Sequence, residues 1–374
     1  MKDDIIDNEK LLNALSKMLD ETIINADFQY KELQGGTLGD VYLIKGTASS
    51  FDGSKFPYEV VLKIQKKWER PGDPDSWRRE YDLYASSLGN TFSDSLGWPK
   101  CYHSEISADE IRIWMEYADG ISGGKLTINM LEQAAYELGS FQGKLCNQPE
   151  LLQGIPNLSD PDFLEKDYNQ WHNQNFSYEF LVSDECKLPK HVKQILKDNK
   201  DMLYTCKSIE YALLRSSKCR MPQHLKQMLI DIDNNRDNLF QEISRLPIVL
   251  CRRDFWIENI IYTNGKIRLI DWDTTGLGYL GEDIASLISD GVDYNYFEEL
   301  CRRLIPAYYK GISEHIDISG ISKNFVCEII LIKFGYRMLQ GYVFAESDED
   351  RDGVINNIQK IYDYFYGGKN NEFS

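Results

Sequence analysis

Residues 249–273 read VLCRRDFWIENIIYTNGKIRLIDWD, and their Thr263-Asn264-Gly265-Lys266 core places an Asn-Gly pair between alternating apolar residues. No short pattern signals a β-hairpin more strongly. The apolar run Leu246–Leu250 delivers the chain to Asp254, Asn259 follows five residues later, and the strand Ile267–Ile270 ends in Asp271. Because a hairpin returns the chain to its start, it gathers these polar side chains. Two carboxylates and an amide oxygen make a hard-cation set suited to magnesium with phosphates. A polar loop whose Asp and Asn serve as caps is the alternative.

The flanking regions set this hairpin between a sheet and a bundle of helices. Residues 27–33, 40–44 and 58–64 alternate like strands, with the turn Gly35-Gly36-Thr37-Leu38-Gly39 after the first, and 102–107 and 110–117 continue the pattern. Between them Trp77 to Leu88 has helical spacing, with Tyr81, Leu83, Tyr84 and Leu88 as candidate buried positions. From about residue 127 the period is helical (INMLEQAAYELGSFQGKL) and stays so to about 245, punctuated by Pro156, Pro161, Pro189 and Pro222. EDIASLISDG, YFEELCRRLIPAYYKGI and NFVCEIILIKFGYRMLQGYVFA follow as further helices. A chain of 374 residues exceeds the usual single-core size, and the seam falls near Tyr117–Gly124.

The spacing D-x-x-x-x-N, an apolar strand and then I-D-x-x resembles the catalytic signature of protein-kinase-like phosphotransferases. It is more closely similar to the aminoglycoside phosphotransferase and choline kinase group, which reads H-G-D-x-x-x-x-N and then I-D-W-D or I-D-W-E. Here Arg252-Arg253-Asp254 stands in place of His-Gly-Asp. In the register G-x-G-x-x-G-x-V, Gln34, Gly36, Gly39 and Val41 fill the fixed positions, with the first glycine missing. Lys63, in Val60-Val61-Leu62-Lys63, stands where that group has its V-A-I-K lysine, and Glu80 stands where a helical glutamate would pair it. The resemblance implies an α+β, bilobal, protein-kinase-like fold. Residues 1–118 would form a small antiparallel β-sheet N-lobe with one main helix, followed by a hinge at about 115–124. Residues 119–374 would form a larger, mostly helical catalytic and substrate-binding C-lobe.

The resemblance also implies an enzyme, a phosphotransferase with an alcohol group as acceptor. Gly36 and Gly39 would cover the phosphates of ATP or GTP, Lys63 would hold the α- and β-phosphates with Glu80 orienting it, and the backbone of Glu116 and Tyr117 would meet the base. Asn259 and Asp271 would ligate Mg2+, with Asp273 either supporting a second metal or capping the next turn. Asp254 would accept the hydrogen bond and proton of the substrate hydroxyl. Asp283 resembles the group's Asp before a buried helix and is expected to brace the catalytic loop. It follows Asp271 by 12 residues, which leaves no room for a peptide-docking segment, so the acceptor is a small hydroxylated molecule.

A net charge of −17 argues against a nucleic-acid partner; it favours a cationic substrate, and an acidic surface that simply keeps the protein soluble is the alternative from charge alone. An aminoglycoside comes first, with antibiotic resistance as the associated role; choline, another amino alcohol or a sugar is the alternative. Trp171, Tyr178, Trp256 and Tyr294 are either aromatic faces for a quaternary ammonium or core residues. A non-catalytic nucleotide-binding module is the competing class, and the intact set Lys63, Glu80, Asp254, Asn259 and Asp271 speaks against it. With no run of about 18 apolar residues and a start, MKDDIIDNEKLL, that lacks a signal pattern, a cytoplasmic protein without membrane contact is expected. The eight cysteines form no C-x-x-C pair and the five histidines no ligand spacing, so reduced, mostly buried thiols and no zinc are expected. Asp348 to Gln359 (DEDRDGVINNIQ) matches a calcium-loop pattern through Ile355, but Gln359 stands where a bidentate carboxylate is required. A solvated acidic turn between helices, or an acidic rim for a cationic substrate, is the expectation there.

Overall fold

The structure, a computed structural model, describes residues 5–33, 39–70, 72–172, 177–198, 200–201, 208–217, 219–322 and 324–367. Strands occupy the first part where alternation predicts them, at β1 (Ile23–Glu32), β2 (Gly39–Ser50), β3 (Lys55–Lys66), β5 (Cys101–Ile106) and β6 (Glu110–Glu116), and two further two-residue strands that alternation did not mark are β4 (Leu96–Gly97) and β7 (Ile121–Ser122). Five of them form an antiparallel sheet in the order β1-β2-β3-β6-β5. Central β3 presents alternate residues to opposite faces. Val60, Leu62 and Ile64 pack with Ile44 and Trp114 on one face, and Val61 packs with Leu43, Ile113 and Met115 on the other.

Each face needs a cover, and each has one. Helix α1 (Asn8–Leu19) lays Leu11, Ala14 and Leu15 on the first face, with Asp7 accepting from Lys10 N at 3.2 Å as its cap. Burying each such leucine contributes about 2 kcal/mol. The strand pattern gave no sign of this helix, so the single helix expected for this part is joined by a second. Helix α2 (Arg79–Ala85) lies toward the other face, which Trp77 also covers. The expected helix from Trp77 to Leu88 is broken into α2 and flanking 3-10 turns at Ser76–Arg78 and Leu88–Thr91. Ser86 ends it: its backbone is extended and its Oγ donates to Leu83 O at 2.6 Å, the local competition that serine offers a helix. Leu83 and Leu88 are fully buried, while Tyr81 and Tyr84 are half-buried.

Beyond β7 the chain is mostly helical. Helix α3 (Ile128–Cys146) packs against the helix Phe297–Ser313 where two glycines meet: a Cβ on Gly139 would overlap Tyr308 O, and one on Gly311 would overlap Tyr136 O. The helix Phe325–Phe344 is apolar around most of its circumference and runs through the core. Among the described residues no helix is long and apolar enough to cross a membrane. Cys101, Cys146, Cys186, Cys219, Cys251, Cys301 and Cys327 are free thiols, as expected, but only the last three are fully buried; Cys206 lies outside the described residues.

The predicted hairpin forms from β9 (Ile260–Thr263) and β10 (Lys266–Leu269), after β8 (Ile248–Cys251) and before β11 (Gly276–Tyr279). Asn264 (φ 50°) and Gly265 (φ 81°) take the left-handed conformations that a two-residue turn requires. Its sheet has the order β4-β10-β9-β7, and β4, from the N-terminal part, pairs parallel to β10. Strand pairing therefore crosses the expected seam. The segment from Asp348 to Gln359 is neither loop nor turn. It is the start of a continuous helix, Asp348–Phe365, capped by Ser347, whose Oγ accepts from Asp350 N at 3.0 Å. Its acidic first turn suits the positive end of the helix dipole.

Candidate active site

Lys63 shares a face of β3 with Val61, the face toward α2, so its ammonium meets Glu80 Oε2 at 2.5 Å. On its other side lies Asp271 Oδ1, at 2.7 Å. The lysine and glutamate side chains are 13% and 2% exposed, while the Asp271 side chain is 33% exposed and so keeps one edge open to solvent. Burial alone would depress the Lys63 ammonium; Asp271 and Glu80 outweigh it and hold the group well above its ordinary range. In return Lys63 holds the Asp271 carboxyl below the usual carboxylate range. Asp273 goes the other way, pushed up to about 6, first by burial and then by the charge of Asp271. Its neighbour is Arg70, at 3.6 Å.

Asp254 follows β8 on the loop that the hairpin closes. Asn259 Nδ2 donates to Asp254 Oδ2 at 2.9 Å and to Asp254 O at 3.0 Å, which turns the amide oxygen of Asn259 into the atom available to a cation. Among the described residues no group of three His, Cys, Asp or Glu converges as a metal cage. The donors present, the carboxylate of Asp271 and the amide oxygen of Asn259, fit magnesium, which keeps waters and phosphate oxygens in its own shell.

Asp283 braces this loop. Its Oδ2 accepts from Arg252 N at 2.9 Å and its Oδ1 from Arg253 N at 2.8 Å. Gln142 of α3 donates to the same carboxylate at 2.8 Å and to Leu250 O at 2.9 Å, and Tyr308 OH donates to Gln142 Oε1 at 2.6 Å. Nothing in the helical pattern of α3 distinguished Gln142 from other polar positions.

The unusual arginines have defined places. Arg253 stands at the glycine of the resembled motif and adopts a glycine-like φ of 62°, a conformation costing roughly 1–2 kcal/mol for a side-chain-bearing residue. Its guanidinium sustains it by donating to Ser159 Oγ, to Asp160 O at 3.1 Å and to Leu277 O at 2.6 Å, over the Phe163 ring. Lys333 Nζ donates to Arg253 O at 2.6 Å. Arg252 is fully buried; its Nη2 donates to Ile270 O and, at 2.9 Å, to Asp271 O, and its guanidinium lies over the Trp272 ring at 4.6 Å.

The remaining predicted positions are less central. Gly36 lies outside the described residues. Gly39 opens β2, where a Cβ would stand 2.6 Å from Ile64 O, so close pairing with β3 requires glycine. Glu116 ends β6; its N–H is already engaged by Lys100 O at 2.9 Å, and its Oε2 accepts from Lys100 N at 3.0 Å. Tyr117 follows it, with Lys45 Nζ 5.6 Å from its ring centre. Of the aromatics, Tyr294 stacks on Phe297 and donates to Ser289 O, a core role, while Tyr178 already has Lys200 Nζ at 4.3 Å. Half-buried Trp256 packs against the core and backs onto Gly291, and the side chain of Trp171 lies outside the described atoms.

The model of the "Phosphotransferase enzyme family" matches residues 29–315. No curated protein sequence matches the chain. Among solved structures it is similar to the choline kinase of Cryptosporidium parvum Iowa II (18% identity over 89% of this chain and 88% of that one, TM-score 0.49). It is similar too to a spectinomycin phosphotransferase in complex with ADP and spectinomycin (13% identity, 95% and 94% covered, TM-score 0.49). A third is an amicoumacin kinase in complex with AMP-PNP and Ca2+ (15% identity, 96% and 94% covered, TM-score 0.46).

Proposed function

We propose that this chain, which belongs to the phosphotransferase enzyme family, moves the γ-phosphate of ATP or GTP to a hydroxyl of a small cationic molecule of the aminoglycoside type. The observation that carries the reading is the meeting of Lys63, Glu80 and Asp271, from a strand, a helix and a hairpin end, in one contact group. Phosphoryl transfer asks for alignment and charge neutralisation more than covalent help. In this reading residues 1–118 hold the nucleotide, 115–124 form the hinge and 119–374 carry catalysis and substrate.

Lys63, held by Glu80, binds the α- and β-phosphates. Asp271 and Asn259 would hold magnesium, which would supply charge neutralisation for the transferring group. Asp254, oriented by the Asn259 amide, accepts the hydrogen bond of the acceptor hydroxyl and then its proton. Support for a cationic acceptor comes from a cleft of about 190 Å³ beside the catalytic loop, whose walls include Asp73, Asp75, Asp160 and Asp162. Two of these are offset, Asp162 by Lys166 at 2.9 Å and buried Asp73 by Arg79 at 2.7 Å, so the support rests on Asp75 and Asp160.

The test is ADP release from ATP and from GTP, with Mg2+, across aminoglycosides, choline-like alcohols and sugars. Turnover is expected with an aminated acceptor and is expected to vanish in Asp254→Ala while AMP-PNP still binds. Full turnover by Asp254→Ala would remove the assigned base. AMP-PNP binding with no acceptor turned over would favour the non-catalytic nucleotide-binding module.

A further inference from the structure

Glu80 orients Lys63, yet the helix that carries it has seven residues, too few to hold a place unaided. What fixes α2 lies largely in residues distant from it in sequence. Arg79, immediately before Glu80, is fully buried; its Nη1 donates to Thr275 O and its Nη2 to Asp73 Oδ1 at 2.7 Å. Asp73 is 4% exposed, and its second oxygen lies 3.9 Å from Nη1 of Arg253, the residue before Asp254. Arg70, on the same connection between β3 and α2, reaches Asp273 at 3.6 Å. Asp82, also buried, accepts from Asn157 Nδ2 at 3.2 Å. Four contacts from this connection and α2 thus end on the part of the chain that carries Asp254 and Asp271.

The energetics make these contacts mutually dependent. A buried charge that loses its partner is strongly destabilising, and Arg79, Asp73 and Arg253 are 0%, 4% and 7% exposed. Moving α2 and its connection away from the catalytic loop would part Arg79 from Thr275 O and Asp73 from Arg253.

We propose that Arg79 and Asp73 are positioning residues, a buried latch clamping the Glu80 helix to the Asp271–Thr275 segment and the catalytic loop. Lys63 is thereby aligned before any nucleotide arrives. The proposal rests on the phosphotransferase reading only for what Lys63 does with nucleotide; the latch itself is a property of the free protein.

The test compares the full chain with Asp73→Asn, which keeps size and loses charge, with Arg79→Met, and with Arg79→Lys. Deuterium exchange of residues 79–85 in the free protein and AMP-PNP affinity with Mg2+ are both measured. Asp73→Asn and Arg79→Met are expected to speed exchange in α2 and to weaken AMP-PNP about tenfold each, with Arg79→Lys recovering part of both. The helix Phe325–Phe344 should stay protected, and the double variant should be no worse than the worse single one. Variants that only melt earlier, with α2 exchange and AMP-PNP affinity as in the parent, overturn the latch. Faster α2 exchange in the variants, with a parent protein that binds no AMP-PNP, supports the latch and overturns the nucleotide reading instead. If Arg79→Met does not fold, Asp73→Asn decides by the same two readouts.

Discussion

Asp271 Oδ1 lies 2.7 Å from Lys63 Nζ although 208 positions separate them in sequence. Lys63 is also the partner of Glu80, so one ammonium balances two carboxylates from two other elements.

Replacing Lys63 by Met leaves Glu80 buried without its counter-charge. Stability is expected to fall by about 3 kcal/mol in urea unfolding, and ADP release by roughly 100-fold. Adding Glu80→Gln to Lys63→Met should recover part of the stability and none of the turnover. Recovery of turnover in the double variant would contradict the role given to Lys63.

Arg252 ties the catalytic loop to Ile270 O and Asp271 O while stacked on Trp272. Arg252→Lys keeps a charge but loses the planar fork and the stack. The expectation is a loss of about 2 kcal/mol with a larger fall in kcat than in nucleotide affinity, read from thermal unfolding and steady-state kinetics. Equal loss in both kinetic quantities would place Arg252 in nucleotide binding instead.

Gly139 and Gly311 sit where α3 meets the helix Phe297–Ser313, each facing a backbone carbonyl of the other helix. Alanine at either position should cost about 3 kcal/mol by forcing the helices apart. Gly353, in the helix Asp348–Phe365, has open space around it, so Gly353→Ala should gain roughly 0.5–1 kcal/mol from helix propensity. Opposite signs in chemical denaturation are the check. A destabilising Gly353→Ala would speak for a turn at that glycine, as a calcium loop needs.

His172 is 3% exposed, its Nδ1 lies 2.7 Å from Tyr168 O, and its ring stacks on Tyr168. Burial is the main cause of its lowered pKa. A group with a depressed folded pKa binds its proton more readily when unfolded, so it contributes stability above the unfolded value of about 6.5. That contribution is lost as pH falls from there through the folded pKa, at a slope of up to about 1.4 kcal/mol per pH unit. His172→Phe should flatten this acid limb in pH-dependent urea unfolding; an unchanged limb would show that another group sets it.

Much of the architecture was legible because it is written in local periods. Alternation marked β2, β3, β5 and β6, and Asn264-Gly265 marked the hairpin, since a turn type is selected by its own two residues. The order of Lys63, Glu80, Asp254, Asn259 and Asp271 named candidate chemistry because phosphoryl transfer needs those functional groups. Helix α1 went unread although Leu11, Ala14 and Leu15 give it an apolar face, and the calcium-loop pattern misled because Ser347 starts a helix there.

The sequence by itself marked most of the longer strands, the hairpin, the class of chemistry and the candidate residues for it, since each depends on neighbours a few positions away. Only the tertiary structure decided that Arg253 takes a glycine's backbone conformation, that β4 stitches across the seam, and that Arg79 and Asp73 join α2 to the catalytic loop. Those outcomes come from compensating buried charges and from strand pairing between distant segments. The partners lie far apart in sequence, and no local period encodes which distant group will meet a buried charge.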